Sequence, residues 1–83
     1  MARQGATDLG VIRKIVDKHL QRRLKLTDDT PLVSGGLIDS MSLVDLILDL
    51  ESETGIKIQV SEVEPDDFDS ITRIAGTLER FQA

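Results

Sequence analysis

The 83-residue sequence predicts an all-α protein, a small bundle of three main helices plus one short one. Three segments carry apolar residues at helical spacing, and each is preceded by a residue type that caps helix N-termini. Only one short run alternates like a strand, and it has no second strand to pair with. The apolar side chains are almost all aliphatic, with two Phe, no Trp and no Tyr. A core of Leu, Ile and Val suits helices at least as well as sheets.

The elements follow in order. Leu9, Ile12, Ile15, Val16, His19, Leu20 and Leu24 recur at helical spacing, which places a first helix over about residues 8–23 with Thr7 or Asp8 as its N-cap. The segment "KLTDDTPLVSGG" is rich in Asp, Thr, Pro and Gly and reads as a long loop. A second helix starts at Ser40 behind the N-cap Asp39 and ends near Thr54, where Gly55 is a natural residue for the left-handed turn that closes a helix. "IKIQV", residues 56–60, reads as an ordered loop with Ile56, Ile58 and Val60 turned inward. "EPDDF" suits one short helical turn with Pro65 at its first position. Ser70 caps a last helix in which Ile71, Ile74, Ala75, Leu78 and Phe81 form one stripe. No internal repeat or low-complexity linker interrupts the chain, so residues 1–83 are expected to form one domain with an ordered core of about 8–82. A chain this short buries roughly 60–65% of its unfolded surface.

The second helix is apolar over more of its circumference than a core requires. On a wheel of about 100° per residue, Leu43, Leu46, Ile47 and Leu50 share one arc wide enough to face a core. Met41, Val44 and Leu48 fall in a second arc. Ser42, Asp45, Asp49, Ser52 and Glu53 occupy the remaining side, and Ser40 and Glu51 lie between the two apolar arcs. The second stripe serves either as packing against the 24–39 loop or as a contact patch, greasy at its centre and acidic at its rim.

Charge sharpens that choice. Residues 1–38 hold seven Lys/Arg and four Asp/Glu, while residues 39–69 hold ten Asp/Glu and only Lys57. Acid concentrated downstream of Asp39 reads either as a solvated acidic face or as a surface offered to basic partners. The basic run "QRRLK" at 21–25 is short and unsupported by aromatics, which argues against nucleic acid. Without cysteine there is no disulfide and no thiolate metal site. No run approaches the length needed to span a membrane, and residues 1–10, "MARQGATDLG", hold no apolar h-region.

Catalysis finds little support. The one histidine, His19, sits on the apolar side of the first helix, where it reads as a packed or boundary residue; no G-x-S-x-G turn is present. The acids Glu64, Asp66, Asp67 and Asp69 lack EF-hand spacing and read as turn and cap chemistry or as weak ion binding. Ser34, Ser42, Ser52, Ser61 and Ser70 lack the combination at Ser40: a preceding Asp, a helix start and an adjoining second stripe.

"GLIDSMSLVDLILDLE" resembles the second-helix signature of phosphopantetheine-dependent carrier proteins, the acyl carrier proteins and their peptidyl and aminoacyl relatives. The likeness extends over about residues 8–82, through the long first loop, the acidic turn and the final "FDSITRIAGTLERF". It implies an acyl-carrier-protein-like bundle and a 4′-phosphopantetheine carried on Ser40, transferred from coenzyme A by a phosphopantetheinyl transferase. It further implies that Asp39 helps the transferase engage the serine, and that Met41, Val44, Asp45, Leu48, Asp49 and Glu51 form the face that partners read. Those partners would be the transferase, a ligase that loads an acyl or aminoacyl group, and downstream acyltransferases or synthases. Many fatty-acid-type carriers place one residue between the loop glycine and Asp-Ser. Here Leu37 and Ile38 both intervene, which is similar to D-alanyl and aminoacyl carriers and to some specialised free-standing acyl carriers. A free-standing cytoplasmic monomer with no catalytic activity and no metal is the expectation. The competing reading is a small acidic helical adaptor without a prosthetic group.

Overall fold

The computed structural model describes residues 8–20 and 26–82. They form three α-helices, α1 (Leu9–Leu20), α2 (Ser40–Thr54) and α3 (Ile71–Phe81), with 3₁₀ turns at Val60–Glu62 and Pro65–Phe68 between the last two. Among the described residues there is no strand, and the all-helical prediction holds. The Val60–Glu62 turn adds one short element to the expected set. Residues 21–23 of the expected first helix, Leu24, the "QRRLK" run and the alternative cap Thr7 lie outside the described residues.

Local chemistry sets each helix end. Asp8 opens α1, accepting the Gly10 N–H on its carboxylate at 2.6 Å and the Ile12 N–H on its carbonyl at 3.0 Å. Asp39 opens α2 from an extended conformation, and its side chain accepts the Ser42 N–H at 2.8 Å. Gly55 closes α2 at φ 75°, donating its N–H to the Glu51 carbonyl; that left-handed conformation is one that other residues adopt only with strain. Ser70 opens α3 by accepting the Arg73 N–H at 3.1 Å.

One core joins the three helices, the long loop and the Pro65–Phe68 turn. Ile12, Ile15 and Val16 come from α1, Leu43, Leu46, Ile47 and Leu50 from α2, and Ile71, Ile74, Ala75 and Leu78 from α3, all buried. Leu32 and Ile38 of the long loop enter the same core, as do Ile56, Ile58 and Phe68. α1 packs on both α2 and α3, and the Pro65–Phe68 turn packs on α2 and α3. The buried Thr54 satisfies its hydroxyl within the helix, donating to the Leu50 carbonyl at 2.6 Å and accepting the Ile56 N–H at 3.2 Å. Thr77 likewise donates to the Asp67 carbonyl at 2.9 Å, tying α3 to the turn below it.

Val60 corrects the expected loop. Ile56 and Ile58 point inward, but Val60 is 60% exposed, because the chain turns into a 3₁₀ conformation there and the period-two alternation ends. A strand pattern sustained over three residues does not extend to a fifth once the backbone changes its period.

The two stripes of α2 separate cleanly. Leu46 and Leu50 are wholly buried, whereas Met41, Val44 and Leu48 are 81%, 54% and 57% exposed. Leu46→Ala should therefore leave a cavity and cost about 2–5 kcal/mol, while Leu48→Ala should stay within about 0.5 kcal/mol of the parent. Denaturant midpoints of the two variants check this; equal losses would place Leu48 in the core.

Candidate functional site

Ser40 is the first residue of α2 and is exposed. Its position is set from both sides. Downstream, Asp39 bonds back to the first turn through its carboxylate, and its carbonyl accepts the Leu43 N–H at 2.8 Å. Upstream, the Leu32 carbonyl accepts two N–H groups, from Leu37 at 2.9 Å and Ile38 at 3.0 Å, which folds residues 32–38 into a compact turn. The turn needs glycine, since a Cβ on Gly35 would run into the Pro31 carbonyl oxygen, and Gly36 holds φ 80°. Ile38 is buried and anchors the residue that feeds into Asp39.

The far end of that turn is fastened by Asp69. Its Oδ1 accepts the backbone N–H groups of Val33 and Ser34, each at 2.8 Å, and its Oδ2 accepts the Ser34 hydroxyl at 2.8 Å. The Asp69 carbonyl takes the Leu32 N–H at 2.8 Å. Four bonds thus run from one residue before α3 to three consecutive residues of the loop. These donors, with the Ser34 N–H foremost, hold the Asp69 carboxyl below the usual carboxylate range. The Ser42 N–H and hydroxyl lower that of Asp39 in the same way.

The acids around the exposed stripe differ in their freedom. Asp45 and Glu53 are exposed. Asp49 is also exposed, and its Oδ2 lies 3.2 Å from Nδ1 of His19, whose Nε2 lies 3.0 Å from the Ser42 carbonyl. His19 is therefore a boundary residue that couples α1 to two turns of α2. Glu51 is half-buried, and its carboxylate accepts the Ile58 N–H at 2.7 Å. It braces the 56–58 loop, which leaves it less available to a partner than its place on the wheel suggests. In the acidic turn, Asp67 accepts the Glu64 N–H at 2.8 Å and faces Arg80 at 3.8 Å. Among the described residues no group of three or more His, Asp or Glu side chains gathers to hold a metal ion.

Ser40, Met41, Val44, Asp45, Leu48, Asp49 and Glu51 all lie on α2, with Asp39 as its N-cap. Asp69 and His19 were not part of the expected set. The Asp69 contacts span 35 and 36 positions, and no local pattern marks a bond of that length.

What this arrangement offers is a presented hydroxyl. The positive end of the helix dipole favours an anionic phosphodiester at such a position. Two cavities among the described residues, about 110 Å³ between Lys14, Lys18, Asp49 and Glu53 and about 190 Å³ beside Glu51 and Lys57, are both small for a substrate pocket, and neither is lined by Ser40. A group attached to Ser40 would begin at the surface, beside the exposed Met41.

A family model described as a phosphopantetheine attachment site matches residues 10–78. D-alanyl carrier proteins of Streptococcus pyogenes, including those of serotype M5 (strain Manfredo) and serotype M1, are 39% identical to this chain over 54 residues, 65% of this chain and 68% of theirs. Among the described residues no helix is long and apolar enough to cross a membrane.

The two depressed carboxyls generate a pH dependence with a definite sign. Each has a folded pKa below its ordinary value of 3.8, so the stability it contributes is complete above that value and is lost as pH falls through the folded pKa. Unfolding midpoints should therefore drop on acidification below about pH 4. Asp39→Asn, which still caps a helix, should show a shallower drop; an unchanged acid slope would mean that Asp39 contributes nothing to it.

Proposed function

The chain belongs to the family of proteins built on a phosphopantetheine attachment site, and on that premise we propose that Ser40 is the residue that bears the prosthetic group. The observation that carries this is the coincidence at one position of an exposed serine, a capped helix start and an adjoining exposed apolar stripe. When bound, 4′-phosphopantetheine supplies the thiol that this cysteine-free chain lacks, and an acyl or aminoacyl cargo is held on it as a thioester.

The chain's own residues have three tasks. Asp39 caps α2 and keeps the first turn formed, so that the Ser40 hydroxyl is offered in one orientation. Asp39 also stands beside that hydroxyl as the residue a transferase would engage. Met41, Val44 and Leu48 supply a desolvating centre for partner contact, while Asp45 and Asp49 at its rim steer basic partners toward it. Glu51 contributes from the edge, through the loop it braces. In this reading the protein is a substrate of enzymes and catalyses nothing itself.

The partners are a phosphopantetheinyl transferase, a loading ligase and the acyltransferases or synthases that receive the cargo. An aminoacyl cargo of the D-alanyl type is favoured by two features: the two residues between Gly36 and Asp39, and the likeness to carriers of that name. The protein acts as a single monomeric domain in the cytoplasm, where coenzyme A is available. The adaptor reading offers no account of the match to an attachment-site family.

Two experiments test this. Incubation with coenzyme A and a broad-specificity transferase should add one phosphopantetheine to the wild type and none to Ser40→Ala, read by intact mass. Modification that persists in a folded Ser40→Ala moves the site elsewhere. Separately, reversing Asp45 and Asp49 to Lys should slow transfer mainly through association, about tenfold at low salt. Raising ionic strength should slow the wild type in the same direction; rates insensitive to both changes would reduce the acidic face to a solvated surface.

A further inference from the structure

Asp69 is placed to control a reaction it does not touch. α3 packs on α1 and on the Pro65–Phe68 turn, and α2 packs on the same two elements; hydrogen bonds from Asp69 tie the loop before α2 to the residues before α3. That loop is held by a relay. The Asp69 carboxylate binds Val33 and Ser34, its carbonyl binds Leu32, and the Leu32 carbonyl binds the N–H groups of Leu37 and Ile38, the last residue before Asp39. The Asp69 carboxylate therefore fixes Val33 and Ser34 on the near side of the turn, while its backbone carbonyl, which a side-chain substitution leaves in place, ties Leu32 and through it the peptide that leads into the Asp39–Ser40 corner.

We propose that Asp69 is a positioning residue for phosphopantetheine transfer, holding the 32–38 turn so that Ser40 is presented to the transferase in one fixed orientation. This rests on the reading of Ser40 as the attachment site. A carboxylate suits the task because one oxygen accepts two convergent backbone N–H groups while the other takes a hydroxyl. The donors on the Ser34 side are exposed, so loss of the carboxylate returns them to water and loosens the turn without opening the core. None of the Asp69 bonds reaches Met41, Val44 or Leu48, so docking on the outward face of α2 does not depend on them.

The role has a kinetic signature that differs from lost stability or lost docking. Misplacing a reacting group by about 1 Å costs up to about a hundredfold in rate. In Asp69→Ala, kcat for transfer to Ser40 should fall about tenfold or more while KM stays within about twofold of the wild type. Asp69→Asn should retain most of the rate: its amide oxygen accepts the same two N–H groups, and its NH₂ donates to the Ser34 hydroxyl.

The experiment measures kcat and KM for the wild type, Ser40→Ala, Asp69→Ala and Asp69→Asn with coenzyme A and a transferase, following intact mass, with far-UV circular dichroism to confirm folding. Wild type that gains nothing at Ser40 defeats the attachment-site reading. With wild type modified at Ser40, the Asp69 proposal alone is overturned by wild-type kcat in folded Asp69→Ala, by a rise confined to KM, or by equal losses in Asp69→Ala and Asp69→Asn. Should Asp69→Ala fail to fold, Ser34→Ala, which deletes one of the three carboxylate bonds, should lower kcat about two- to fivefold with KM unchanged. Wild-type kcat in that variant overturns the proposal equally.

Discussion

Leu43, Leu46, Ile47 and Leu50 hold α2 to the rest of the protein along one row, and the freedom of its opposite face depends on that row being sufficient. Burying a side chain of this size stabilises by about 1.5–3 kcal/mol, an upper figure because unfolded chains already hide some apolar surface. The row is supplemented at both helix ends, by the Asp39 cap and by the Gly55 closure with its Thr54 hydroxyl bonds. With folding satisfied there, Met41, Val44 and Leu48 are released from any duty in the core. Three large apolar residues left in water on one helix are costly to solubility, and in a chain this small that cost makes sense as an interaction surface.

Electrostatics around the proposed attachment serine is arranged in layers. Nearest to Ser40, the Asp39 carboxylate is turned back onto the Ser42 N–H, so its negative charge is engaged by the helix start. Further along, Asp45 and Asp49 lie beside the exposed stripe, with His19 touching both the Ser42 carbonyl and Asp49. Further still, Glu51 belongs to the scaffold as much as to the surface, since its carboxylate holds the Ile58 peptide. An anionic phosphodiester at the helix N-terminus and an acidic rim beyond it can coexist because they occupy different turns of α2.

Much of this was legible in the sequence because it is local. The cap at Asp39, the stop at Gly55, the Pro65 turn and the stripes of α2 and α3 are each decided within a few residues, by dihedral preference or by helical period. Val60 was misread for the same reason: alternation in Ile56 and Ile58 says nothing about where the backbone changes its period. The bonds of Asp69 escaped for a different reason, as did the particular partners of His19, whose boundary position the sequence does show. Their partners lie in other elements, and only the folded topology brings a carboxylate before α3 against the turn before α2, or the end of α1 against two turns of α2. Thus the exposed serine and its stripe could be read from the chain, whereas the bonds that hold them in place could not.

The central claim is that α2 folds the protein with one face and meets its partners with the other. Amide NMR spectra of the isotope-labelled chain titrated with a phosphopantetheinyl transferase test it most directly, since each residue reports separately. Shifts and line broadening should be strongest at Ser40, Met41, Val44, Asp45 and Leu48, with the amides of Ile71–Phe81 little affected. Perturbations centred on α3, with the α2 amides unmoved, would contradict the account.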